Sequence, residues 1–147
     1  MMILKVDGAS RGNPGDAAIG VVVETEYGAV IELWGEYIGV ATNNEAEYRA
    51  IISGLSFLRD IGYRGHVQVY SDSELVVNQL NGVYRVRSGK LKKLYDEVKR
   101  LEANFSEVKY IHVDRAMNRR ADSIANKALD IKSRYPPRIG ATSGKYL

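Results

Sequence analysis

The chain contains no cysteine, so disulfides and thiolate metal sites are both excluded. Histidine is nearly as scarce, with two residues, and a His-rich zinc site lacks its ligands. Any metal would have to be held by carboxylates, and oxygen ligands favour a hard cation such as magnesium or manganese. No apolar run approaches membrane-spanning length, and the N-terminal residues lack the pattern of a signal peptide. A cytoplasmic protein is therefore expected. Internal repeats and low-complexity segments are absent too. What remains is a chain of 147 residues, 45% hydrophobic and 27% charged, suited to one domain with a substantial core.

Charge is unevenly distributed. Residues 1–80 carry 5 Lys+Arg against 11 Asp+Glu, whereas residues 81–147 carry 16 against 7. An acidic half able to bind a cation and a basic half suit a polyanionic partner such as nucleic acid. The densest basic stretch, residues 83–100, reads VYRVRSGKLKKLYDEVKR, with Tyr84 interleaved. As a cluster it reads as a surface that follows phosphates, on which Lys92, Lys93, Lys99 and Arg100 flank the apolar stripe of a helix.

Patterning gives the element order β-β-β-α-β-α-α-β-α. A branched apolar strand over residues 2–6 ends on Asp7, and a turn rich in glycine, DGASRGNPG, follows. Strands over 17–25 and 29–38 complete an antiparallel meander, the first of them apolar enough to be covered on both faces. Thr42-Asn43-Asn44 opens a helix reaching about residue 60, with Ala50, Ile51, Gly54, Leu55 and Leu58 inward. Glu47 lies on that inward stripe and Glu45 does not. A strand over 66–71 ends on Asp72 and is followed by a short helix. The remaining elements are a helix over 90–103, a strand over 106–113 and a last helix from Asn118 to about residue 134. That helix buries Ala121, Ile124, Ala125, Ala128 and Leu129 and carries Asp122 in its first turns. Residues 135–147 form a tail without period. Taken singly, Asp7 also reads as a solvated turn residue, and Glu47 and Asp122 as acids complementing a helix dipole. If the first and fourth strands are parallel neighbours, however, Asp7 and Asp72 sit side by side and repel unless a cation lies between them.

Four segments, DGASRGNPG at 7–15, TNNEAE at 42–47, YSDS at 70–73 and NRRADSIANKAL at 118–129, occur in this order at these element ends. Together they resemble the ribonuclease H family, type 1, over roughly residues 2–132. The resemblance implies an α/β fold with a five-stranded mixed sheet of order 3-2-1-4-5 and helices on both faces. Residues 1–134 would form the catalytic domain. The implied activity is endonucleolytic hydrolysis of the RNA strand of an RNA–DNA hybrid, leaving 5′-phosphate and 3′-hydroxyl ends. By position, Asp7, Glu47, Asp72 and Asp122 match the four metal-binding carboxylates, which hold two Mg2+ or Mn2+ ions roughly 4 Å apart at the scissile phosphate. Ser10, Asn13, Asn43, Asn44 and Glu74 match positions that sense the 2′-hydroxyl, and Asn13 and Thr42 also match residues that grip a DNA phosphate. Glu74 stands where the family often has Gln.

Two departures follow from the same comparison. The loop before the last helix, DRAM, is short and lacks the family's histidine. His112 falls within the strand, on the face of Val108 and Tyr110, where a packed histidine is expected. Arg115 is thus the candidate to reach a phosphate. The long basic loop with tryptophans found in some members is also missing, leaving the YRVRSGK segment, with Tyr84 for stacking, to bind DNA. The expected partner is the hybrid alone, with no membrane and no obligate protein partner, bound by a monomer. The alternatives are a non-catalytic hybrid-binding module and a DNA-acting nuclease of the same superfamily.

Overall fold

In the computed structural model, which describes residues 1–137, strand β1 (Met2–Gly12) runs through the middle of a six-stranded sheet. It pairs antiparallel with β2 (Gly15–Thr25), which pairs antiparallel with β3 (Val30–Ala41). On its other side β1 pairs parallel with β4 (His66–Ser71), and β4 with β5 (Glu107–His112). The order β5-β4-β1-β2-β3 is the expected one. A two-residue strand, β6 (Arg134–Tyr135), adds to the outer edge of β3, so the sheet has six strands rather than five. Tyr135, the first residue of the expected tail, therefore pairs with Gly35. The rest of that tail, residues 138–147, lies outside the described residues.

The first strand is longer than its composition suggests. Asp7 is not its end, and residues 8–12 are not a turn. Each residue from Met2 to Gly12 has a partner on β2, from Met2↔Thr25 to Gly12↔Gly15, so the ladder satisfies backbone groups that a turn would have to satisfy locally. Only Asn13 and Pro14 form the hairpin turn. The parallel pairing with β4, in contrast, stops at Lys5↔Tyr70. Asp7 and Asp72 each lie two residues beyond that last pair, at matching heights where the two strands part.

Helix α1 (Asn43–Asp60) starts at Thr42 through a capping box. The Thr42 hydroxyl accepts from the Glu45 amide at 3.1 Å, and the Glu45 carboxylate accepts from the Thr42 amide at 3.1 Å. Ser73 caps α2 (Glu74–Leu80), and Ser88 caps α3 (Gly89–Glu102). A 3-10 turn, Arg115–Asn118, leads into α4 (Arg119–Ile131). This last helix ends before residue 134 because Lys132 adopts the left-handed conformation (φ 48°) and sends the chain back to β3.

Alternation along β1 and β2 separates two cores. Leu4, Val6, Ile19, Val21 and Val23 face α1, whose Ile51, Leu55 and Leu58 are fully buried among them. Ala18 and Val22 face α4, packing on Ala121, Ile124, Ala128 and Leu129. The inward stripes expected for both helices are all buried. On the α4 side the contact is made by small residues. A Cβ at Gly20 would overlap the Ala121 carbonyl oxygen, and one at Gly35 the Ile124 carbonyl oxygen. A Gly20→Ala variant should consequently lose about 1–3 kcal/mol in urea unfolding, with the m-value unchanged. An unaltered midpoint would show that α4 rests on the sheet less closely.

Candidate active site

Three elements deliver carboxylates to the gap between β1 and β4. Asp7 projects from β1 on the face toward α4, since its neighbour Val6 belongs to the α1 core. The next residue, Gly8, faces α1 and carries no side chain. A Cβ there would lie 2.5 Å from the Glu47 backbone nitrogen. This close approach lets Glu47 reach past the strand. Its Oε1 accepts from the Gly8 N–H at 2.7 Å, and its Oε2 accepts from the Ser71 hydroxyl at 3.0 Å. Ser71 is fully buried and also accepts from the Ser73 amide at 3.1 Å. Asp72 follows at the end of β4. One carboxylate oxygen from each of Asp7, Glu47 and Asp72 lies within 4.8 Å of the others. Asp122, one helical turn on from Asn118, lies near enough to Asp7 to raise its carboxyl and is itself held by Asn126 Nδ2 at 3.2 Å.

The electrostatics follow from this crowding. Asp7 and Glu47 are 6% and 5% exposed. Burial pushes the Asp7 carboxyl up to about 10, and Glu47, Asp122 and Asp72 add to the rise. Burial also pushes Glu47 up to about 7, against the hydrogen bonds from Asp7 and Gly8, which lower it. Acids held this far above their ordinary range cannot all be ionised together near neutrality. The cluster takes up protons or a cation.

Arg115 stands at the mouth of this cluster. Its Nε lies 3.7 Å from Asp72 Oδ2, and its side chain is 88% exposed. His112, expected to be packed, is exposed. It is the last residue of the edge strand β5, where alternation no longer buries the side chain. The structure does not bring Glu74 into the carboxylate cluster. It is the exposed first residue of α2.

The remaining expected binding residues, Tyr84 apart, gather at the hairpin tip. Asn13 Oδ1 accepts from the Asn43 amide at 3.0 Å, which ties the β1–β2 turn to the start of α1. Ser10 Oγ is within reach of the Gly12 and Ala41 carbonyls, so its proton is held within the sheet and only its lone pairs are available outward. Asn13, Thr42 and Asn44 line a cleft of about 400 Å3 together with Ser88 and Lys90 at the start of α3. Ser88 and Lys90 belong to the YRVRSGK segment expected to bind DNA, and only the fold brings them beside residue 13. Tyr84, half exposed, lines a second cleft of about 370 Å3 with Arg85, Lys92 and Tyr95. The basic face of α3 is smaller than the sequence suggests. Lys99 turns inward, where its Nζ donates to the Leu80 carbonyl at 2.9 Å and pairs with Glu102 at 3.2 Å. Lys92 pairs with Asp96 at 2.9 Å. Arg85, Arg87, Lys90, Lys93 and Arg100 remain exposed. Gly8 and Ser71 are further site residues that the sequence did not mark. A glycine directly after the strand's acid was the only available signal.

Similarity to known proteins agrees with this geometry. A family model described as reverse transcriptase-like matches residues 5–128. Ribonuclease HI of Halobacterium salinarum is 42% identical over 124 residues, which are 84% of this chain and 62% of that protein, so the chain spans less than two thirds of this relative. The crystal structure of ribonuclease H1 from the same archaeon superimposes with a TM-score of 0.85 at 40% identity, covering 88% of this chain and 98% of that one. LC11-RNase H1, solved in complex with an RNA/DNA hybrid, gives a TM-score of 0.86 at 38% identity, covering 90% of this chain and 99% of that one. With matches of this extent on both sequence and structure, the chain belongs to the ribonuclease H family, type 1.

Proposed function

We propose that this protein is an endonuclease that hydrolyses the RNA strand of RNA–DNA hybrids, leaving 5′-phosphate and 3′-hydroxyl ends. The observation that carries the reading is the convergence of Asp7, Glu47 and Asp72 to within 4.8 Å, with Asp122 near enough to add to the rise of Asp7. The hybrid bound by LC11-RNase H1 supports the choice of substrate.

The donor set fits a divalent cation. It is all oxygen, it comes from strands and helices, and burial together with mutual repulsion prevents it from carrying its full charge. Asp7, Glu47, Asp72 and Asp122 would hold the metal. When bound, Mg2+ or Mn2+, as two ions in this reading, supplies a water of lowered pKa and neutralises the leaving oxygen. The chain's own residues do the rest. The Gly8 N–H and the Ser71 hydroxyl fix both oxygens of Glu47. Arg115, beside Asp72, reaches out to a phosphate oxygen in the role that a loop histidine has in other members. Asn13, Thr42 and Asn44, joined by Ser88 and Lys90, receive a phosphate of the DNA strand. Asn43 and Glu74 flank the RNA sugars, the outward lone pairs of Ser10 accept from a 2′-hydroxyl, and Tyr84 offers a stacking face. Residues 1–134, with Tyr135, make up the catalytic domain, acting as a monomer without an obligate protein partner. A cytoplasmic location suits a substrate that forms where DNA is copied and transcribed. Among the described residues no helix is long and apolar enough to cross a membrane.

One labelled sequence offered as hybrid, RNA duplex and DNA duplex tests the substrate. Cleavage should be confined to the RNA of the hybrid, should need Mg2+ or Mn2+, and should stop in EDTA. Asp7→Asn and Asp72→Asn should each lower kcat by at least a hundredfold, and full activity in either would refute the assignment of these carboxylates. Arg115→Ala should lower kcat by about 10–100-fold with KM changed less than threefold, in line with a group acting on the reacting phosphate.

The raised acids also predict a pH dependence. The folded protein holds protons on Asp7 and Glu47 that the unfolded chain releases above about pH 4, so stability falls as pH rises from there toward 10. In EDTA, Asp7→Asn should melt with the wild type near pH 5 and about 5 °C or more above it near pH 9. Mg2+ should raise the wild-type melting temperature most at high pH, as measured by circular dichroism.

A further inference from the structure

We infer that Asn118 is a positioning residue that sets where Asp122 meets Asp7, an assignment that rests on the proposed role of those acids. Asn118 stands at the junction of the 3-10 turn and α4, where an asparagine ordinarily caps the helix with its side chain. Here it makes no cap bond. Its side chain is 1% exposed, and Nδ2 donates to the Val6 carbonyl at 2.6 Å. Val6 lies one residue beyond the last pair between β1 and β4 and one residue before Asp7. The amide therefore joins α4 to the central strand beside the acid, where the parallel ladder has ended.

Spacing turns this bond into a register device. Asn118 and Asp122 are four residues apart, one helical turn, and share a face of α4. The turn of α4 that begins with the Asn118–Val6 bond thus carries Asp122 to the neighbourhood of Asp7, whose carboxyl it helps to raise. Elsewhere α4 meets the sheet through apolar contacts, Ala121 against Gly20 and Ile124 and Leu129 beside Val22 and Ala18, and through an exposed ion pair between Arg11 and Asp130, which solvent screens. Such contacts fix how deep the helix sits and resist sliding along its axis only weakly. The directional bond from Asn118 fixes the axial position. The amide is retained for its donor. Its Oδ1 has no protein partner, the single buried side-chain atom of this kind among the described residues, so an apolar residue would pack there at lower desolvation cost.

The test compares Asn118→Ala with Leu129→Ala, a core truncation further along the same helix. Both are assayed at 25 °C, where circular dichroism confirms folding. Asn118→Ala should lower kcat at least tenfold with KM for the hybrid within twofold. It should also weaken Mn2+ binding at least fivefold, measured by calorimetry without substrate. Leu129→Ala should lower the melting temperature and leave both quantities within twofold. Should Asn118→Ala not fold, Asn118→Ser is read by the same criteria. Unchanged Mn2+ affinity and kcat, or losses matched by Leu129→Ala, would overturn the inference. Failure of the nuclease reading shows separately, as a wild-type chain that cleaves no hybrid, and Mn2+ affinity then still reads the effect of Asn118.

Discussion

Everything at the site depends on α1 touching β1 at backbone distance beside Gly8. No residue with a side chain fits there without moving the helix, because the would-be Cβ meets the Ala46 and Glu47 backbone at 2.5 Å. That contact brings Glu47 under the strand and into reach of the Gly8 N–H. It also shuts water out, and desolvation is the largest cause of the raised acids at both Asp7 and Glu47. The same step thus creates the attraction for a cation and the strain of being without one. Structures of this sort carry a local cost that the surrounding core must offset, here through the large apolar cluster on the α1 side.

The sheet supplies the second half of the arrangement. β1 is paired on both sides through Lys5, and then β4 leaves it. Beyond the fork, β2 continues to hold β1 straight while the β4 side opens. Asp7, Asp72 and the Val6 carbonyl all lie at this opening, in keeping with the tendency of α/β sheets to form sites where strands diverge at their carboxyl ends. The hairpin tip is tied to α1 through Asn13 and Asn43, so the glycine-rich end of β1 and the helix start form one unit.

Much of this was legible in the sequence. Apolar periodicity fixed the inward faces of α1 and α4, and the four acids stood out in the sequence, although Asp7 lies within β1 and not at its end. The parts that were not legible have particular causes. Residues 8–12 have turn composition, yet a partner strand makes them a ladder, and local propensity cannot report a distant partner. Lys99 looked like a solvated charge because its acceptors, Leu80 and Glu102, approach only in the folded state. His112 obeyed alternation but lies at a strand end on the sheet's edge. Ser88 and Lys90 joined Asn13 through tertiary packing. β6 is two residues long and has no pattern of its own to read.

The thin seam between α4 and the sheet has a dynamic consequence. Proteins open in cooperative pieces, and the pieces held by the least buried area open first. Three of the four acids sit on β1, α1 and β4, which share the large core, whereas Asp122 belongs to a helix seated on the other face of the sheet, over Ala18, Gly20, Val22 and Gly35. A partial opening that lifts α4 removes one acid and leaves three in place. The constellation is thus divided between the two faces of the sheet, three carboxylates on elements that share one core and the fourth on a helix that shares the other.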